Sequence, residues 1–141
     1  AVVLSGMSDM AQVEDNLSSA GVSGVGTLTA DDLARVDEVR RLYQTLSPIP
    51  CTKCQYCMPC PNGVNIPRNF EIFNRGKMYD KIEAARDEYA YWFSKEEWAS
   101  ECIACQQCEA LCPQNIPISE WMPIVHGVLG EGKAYDESVR P

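Results

Sequence analysis

The apolar positions fall into helical stripes separated by stretches with no stripe. Ala1-Val-Val-Leu-Ser5 is a short β-branched run ending at Gly6, and it reads as a buried strand. Past the glycine, Ser8 or Asp9 can cap a helix that carries Val13 and Leu17 on one face. Strand, glycine turn and capped helix form one βα unit, and a helix start behind a tight turn is an anion site by geometry. Residues 18–28 hold Gly21, Gly24 and Gly26 among small side chains, which marks a linker and a domain boundary.

Thr29-Ala-Asp-Asp32 resembles a capping box, with Leu28 and Leu33 placed as a hydrophobic staple. Leu33, Val36, Tyr43 and Leu46 follow at helical spacing, and Ser47-Pro48 stops that helix. Val64-Asn-Ile-Pro67 reads as an extended segment and turn. A helix over 68–76 then turns Phe70 and Phe73 inward. A longer helix, about 79–93, lines up Ile82, Ala85, Tyr89 and Phe93, and a last one over 118–129 buries Trp121, Met122 and Val125. Residues 131–141 are polar and read as a frayed tail.

Between the stripes lie two runs with no helical period, and they hold all eight cysteines. The first is Cys51-Thr-Lys-Cys54-Gln-Tyr-Cys57-Met-Pro-Cys60-Pro61. The second is Cys102-Ile-Ala-Cys105-Gln-Gln-Cys108-Glu-Ala-Leu-Cys112-Pro113. The second has the C-x2-C-x2-C-x3-C-P spacing of bacterial [4Fe-4S] runs, and the first is one residue shorter before its last cysteine. A cubane cluster needs one thiolate at each of four irons. Three cysteines at this spacing wrap one face, and the fourth, turned aside before a proline, serves the other cluster. On that logic Cys51, Cys54, Cys57 and Cys112 hold one [4Fe-4S] cluster, and Cys102, Cys105, Cys108 and Cys60 hold a second. Asn65-Ile-Pro67 and Asn115-Ile-Pro117 follow the two runs, an internal repeat of cysteine run, Asn-Ile-Pro and helix.

Other metal and thiol chemistries fit less well. Tight C-x-x-C runs make poor structural disulfides. Zinc ribbons take two cysteine pairs per ion, not four evenly spaced thiols ending in proline. The alternative function is a zinc-binding or purely structural cysteine-rich interaction module. His126, the one histidine, falls on an apolar helix face and reads as a packing or surface residue. Lys53 and Tyr56 sit between ligands and read as tuning or covering residues.

The formal charge of −8, with a pI of about 4.6, argues against nucleic acid and suits a basic redox partner protein. No stretch of 18 apolar residues spans a membrane, and no basic-then-apolar leader is present. Free thiols and iron–sulfur ligation point to a reducing cytoplasm. The first residue is Ala1 rather than Met, which suggests a piece of a longer chain.

Two segments carry a family resemblance. Gly6-Met-Ser-Asp-Met-Ala-Gln-Val-Glu-Asp-Asn16 resembles the last βα unit of aldo/keto reductases, where Gly-x-Ser-Asn-x-x-Gln-x-x-Glu-Asn follows the eighth strand of a TIM barrel. Tyr56-Cys-Met-Pro-Cys-Pro61 and Gly63-Val-Asn-Ile-Pro67 resemble the ferredoxin-like tail of a microbial branch of that family. The resemblance implies that Ser8 and Gln12 meet the 2′-phosphate of a bound NADP(H) and Asn16 the adenine. Asp9 stands where the family often has Asn, and Asp15 where it often has Glu. It also implies NADP(H) or NAD(H) in the full-length protein, and a barrel of the same chain as partner. The family's Asp, Tyr, Lys and His catalytic set would lie in that barrel, and no member of it occurs here. The expected fold is mainly α: residues 1–28 as a leftover βα unit with a glycine-rich linker, and 29–141 as a helical di-cluster ferredoxin-like domain. The expected function is electron transfer between the two clusters and a nicotinamide-dependent barrel.

Overall fold

The computed structural model describes residues 5–141. The strand expected over residues 1–5 lies outside them except for Ser5, which has no regular structure. The described residues form helices α1 (Met10–Val22), α2 (Ala30–Leu46), α3 (Ile66–Met78), α4 (Ile82–Tyr91) and α5 (Ile118–Leu129), with no β-strand among them. Short 3-10 turns stand at Lys95–Glu97, Ala99–Glu101 and Glu137–Val139. No helix is long and apolar enough to cross a membrane.

The chain divides into two compact units, 1–39 and 40–141, and the division falls inside α2. The boundary expected at residue 28 falls within the first of these units.

In the first unit Asp9 caps α1, its side chain accepting from the Gln12 amide at 3.0 Å. The Thr29 box closes as the spacing predicts. The Asp32 carboxylate accepts from the Thr29 amide and hydroxyl at 3.0 and 2.7 Å, and the Asp32 amide donates to the Thr29 hydroxyl at 3.2 Å. Neither α1 nor α2 buries a residue. Val13 is half-buried, whereas Leu17, Leu28, Leu33, Val36 and Tyr43 are all more than half exposed. Both helices are therefore largely local: caps and backbone hydrogen bonds hold them, and of their apolar stripes only Val13 and Leu46 are half-buried.

The core belongs to the second unit. Phe70, Ile72 and Phe73 of α3, Ala85 and Tyr89 of α4, and Trp121, Met122 and Val125 of α5 are buried together. The Phe73 ring meets Trp121 and Tyr135 edge-on at 6.1 and 5.2 Å. At the α3–α4 crossing, Gly76 lets the backbones close: a Cβ there would lie 2.7 Å from that of Ala85. The tail expected to fray is instead pinned. Tyr135 stacks on Trp121 and lies beneath the Lys77 ammonium, and Arg86 reaches across to the carbonyls of Val128 and Lys133 at 2.9 Å. The polar composition of 131–141 hid one aromatic anchor.

The internal repeat exists, but in a different register from the Asn-Ile-Pro echo. Gly63 and Asn115, each three residues past the fourth cysteine, are both left-handed (φ 82° and 51°), and each donates its amide to that cysteine's carbonyl at 3.0 Å. The next residues, Val64 and Ile116, are buried, and their carbonyls accept from the amides of Ile66 and Ile118. Those two isoleucines open α3 and α5. Asn65 thus corresponds to Pro117, not to Asn115. Asn65 caps α3 by accepting from the Arg68 amide at 3.3 Å, whereas Asn115 makes the turn before α5. Distance from the fourth cysteine sets the register, and the shared tripeptide does not.

Candidate metal centre

The two cysteine runs adopt the same unusual backbone. Lys53 (φ 56°) and Gln55 (φ 65°) flank Cys54, and Ala104 (φ 53°) and Gln106 (φ 60°) flank Cys105. A left-handed residue other than glycine costs about 1–2 kcal/mol, so four at matched positions mark a loop shaped for a purpose. Alternating hands turns successive amides toward one concave side, the nest arrangement that receives phosphates and iron–sulfur groups. The 3-10 turn Ala99–Glu101 delivers the second run, and Pro48-Ile49-Pro50 delivers the first. Buried Ile49 is clamped by Asn74, whose side chain accepts its amide at 3.2 Å and donates to its carbonyl at 2.7 Å.

The thiols gather into two hollows. The first is lined by Cys51, Cys54, Cys57 and Cys112, with Ile66, Phe70, Ile116 and Ile118 behind them. Three cysteines of one run thus meet the fourth of the other. The second is lined by Cys60, Cys105 and Cys108 with Pro59, Pro61 and Leu111. Cys102 is not in its lining but lies within electrostatic reach of Cys108. Cys57 borders both hollows, so they share a wall.

The runs are matched ligand by ligand. Cys54 and Cys105, the second of each run, are exposed, and the other six are half-buried against the core. Burial pushes the thiols of Cys57 and Cys108 up to about 11. Cys51 is raised too, chiefly by burial, with a hydrogen bond from the Lys53 amide as the main opposing effect and the Lys53 charge the smallest. Metal ligation takes thiolates, so loading these sites releases protons. All eight thiols are free, and among the described residues no three His, Cys, Asp or Glu side chains gather round a single ion-sized point. A cubane makes a different demand, one thiolate at each of four separate irons. The donor set, the nests and the paired hollows fit that demand.

Side chains the spacing did not single out hold the loops in place. Glu71 of α3 takes the Lys53 ammonium at 3.0 Å and the Arg68 guanidinium at 2.9 Å. Those two cations hold its carboxyl below the usual range. Arg68 continues to Glu88 of α4 at 2.5 Å, and Glu88 also pairs with Arg75. In the second run, Glu109 caps α5, one carboxylate oxygen accepting from the amide and hydroxyl of Ser119 at 2.7 and 2.6 Å. The Asn62 amide donates to the Glu101 carbonyl, tying the end of the first run to the start of the second. Glu109 lies inside the run and could have been noticed there; Glu71 has no sequence signal, being brought in by the packing of α3.

His126 packs as expected. Its ring tilts against Tyr89 and Trp98, and Nδ1 lies 3.3 Å from the Tyr89 hydroxyl. The resemblance-implied nucleotide residues Ser8, Gln12, Asp15 and Asn16 are all exposed around the start of α1. The Ser8 amide and hydroxyl donate to Gln12 Oε1 at 2.8 and 3.3 Å, and Asn16 donates to the Ser5 hydroxyl at 3.2 Å.

Residues 50–116 match the family model described as a 4Fe-4S dicluster domain. That match supports iron–sulfur clusters as the group the cysteine runs serve, and electron transfer as the function class. Comparison with curated proteins found no match, and comparison with solved structures found none either.

Proposed function

We propose that residues 40–141 are an electron-transfer domain holding two [4Fe-4S] clusters with crossed ligands. Cys51, Cys54, Cys57 and Cys112 serve one cluster, and Cys102, Cys105, Cys108 and Cys60 the other. The observation that carries the reading is the place of Cys112, which lines the hollow of the first run rather than that of its own. Cys60 makes the reciprocal exchange beside Cys105 and Cys108. The bound groups supply one-electron couples. Cys57 sets the sites wall to wall, so an electron has a short path between them. Exposed Cys54 and Cys105 give each site one edge open to a partner. The apolar wall of Ile66, Phe70, Ile116 and Ile118 keeps water from the inner face of the first.

The finer reading places this domain behind a nicotinamide-dependent aldo/keto reductase-like barrel in a longer, cytoplasmic oxidoreductase. Its support is the Gly6–Asn16 resemblance and the exposure of Ser8, Gln12 and Asn16 at a capped helix start. There the clusters would join a two-electron nicotinamide to a one-electron partner protein.

Metal and sulfide analysis after anaerobic preparation tests the cluster reading, with roughly eight iron and eight sulfide per chain expected. Stoichiometric zinc without sulfide overturns it in favour of a zinc-binding module. Iron that no low-potential donor can reduce leaves a structural staple instead. For the barrel, Ser8→Ala and Gln12→Ala in the longer protein should weaken NADPH binding. Unchanged affinity in both refutes that assignment.

A further inference from the structure

Superimposing the two runs by position exposes a difference that their matched burial does not cancel. Lys53 corresponds to Ala104, Met58 to Glu109, and Pro50 to Glu101. Each of the three exchanges leaves the second run more negative than the first. Lys53 is the cluster-side end of the chain Lys53, Glu71, Arg68, Glu88, Arg75, in which three cations alternate with two carboxylates and leave one positive charge. Among the described residues no such chain stands behind Ala104: Pro123 occupies the place on α5 that Glu71 occupies on α3. Glu109 is bound by Ser119, yet its charge is felt at Cys108.

Resting on the iron–sulfur reading above, we infer that Lys53 and Glu109 rank the two sites, so that the hollow of Cys51, Cys54, Cys57 and Cys112 has the higher electron affinity. Adding an electron makes a thiolate-ligated cluster more negative, so a neighbouring cation favours reduction and a neighbouring anion opposes it. Desolvation also opposes reduction, but each ligand set has one exposed and three half-buried cysteines. The apolar wall behind the first hollow works against this order, so the charges must outweigh it. An electron given by an external one-electron donor to the second site passes to the first, oxidising the one and reducing the other, with no bond or proton exchanged. The second run is the entry edge, beside exposed Ile103 and Leu111, and the first is the store.

The test is a dithionite titration of the loaded full chain, followed by electron paramagnetic resonance. Two one-electron steps are expected. With one electron per pair, the first site should hold it about tenfold more often, a gap of about 59 mV. Lys53→Asn removes the charge while keeping a residue that tolerates a left-handed backbone, and it should lower the upper step and narrow the ratio several-fold. Ala104→Lys should raise the lower step. Glu71→Gln, on α3 and outside the loop, should raise the upper step, and it carries the test if Lys53→Asn loads poorly. The inference is overturned if Lys53→Asn or Glu71→Gln moves only the lower step, or if neither variant moves either step. A chain with no iron and no reducible step overturns the reading beneath it, and the metal analysis tells that failure apart.

Discussion

Gly63 and Asn115 make the same left-handed turn 52 positions apart, each three residues beyond the cysteine that crosses to the other hollow. The two are not equally replaceable. A Cβ on Gly63 would meet the Glu96 carbonyl at 3.3 Å as well as the left-handed backbone. Gly63→Ala should therefore cost about 1–2 kcal/mol, and Asn115→Gly should cost little, since glycine suits the angle. Anaerobic denaturant unfolding of the loaded protein checks both. Equal losses would mean that the turn is not the shared element.

Gly76→Ala sets two effects against each other. Alanine favours a helix over glycine by about 1 kcal/mol. Here, however, the new methyl would sit 2.7 Å from the Ala85 Cβ and 3.1 Å from Ile82 Cδ1, and overpacking of that kind costs about 1–3 kcal/mol. We expect a lower melting temperature. A higher one would show that α3 and α4 can part without penalty.

Tyr89 joins α4 to the approach of the second run. Its buried hydroxyl accepts from the Ala99 amide at 2.9 Å. Tyr89→Phe strands that amide and should cost about 1–3 kcal/mol. Burial raises the phenol well above its ordinary value. The unfolded chain therefore loses this proton first, from about pH 10. Stability contributed by the neutral phenol is complete below that pH and falls as pH rises, by up to about 1.4 kcal/mol per unit. Unfolding curves of wild type and Tyr89→Phe should converge as pH climbs above 10. A constant gap would contradict the buried neutral phenol.

Cys112→Ser distinguishes crossed from separate ligation. Crossed ligation puts the primary damage at the cluster of Cys51, Cys54 and Cys57, as followed by paramagnetic shifts of neighbouring protons. Damage confined to the cluster of Cys102, Cys105 and Cys108 would mean that each run keeps its own.

Local rules made much of this legible from the residues. The run spacing, the Thr29 capping box and the 118–129 helix all depend on neighbours within a few positions, and all stand where expected. What distance in sequence hides was harder to read. The Asn-Ile-Pro echo looked like the repeat because letters matched, while the fold counts from Cys60 and Cys112. The stripe of Leu33, Val36 and Tyr43 gave the helix, and it lies exposed, because periodicity says only that a face exists, not what covers it. Tyr135 sat in a polar tail, and only the groove between Phe73 and Trp121 makes it an anchor. Glu71 became a loop support because α3 carries it beneath Lys53.

The exchange of Cys60 and Cys112 also bears on where such a domain comes from. With crossed ligands, one repeat by itself would offer three thiols to one cluster and its fourth to the other, so alone it would complete neither site. Two identical repeats facing each other across a two-fold axis would complete both. Joined in one chain, the halves can differ at single positions, as Lys53 and Ala104 do, which a dimer of identical chains could not.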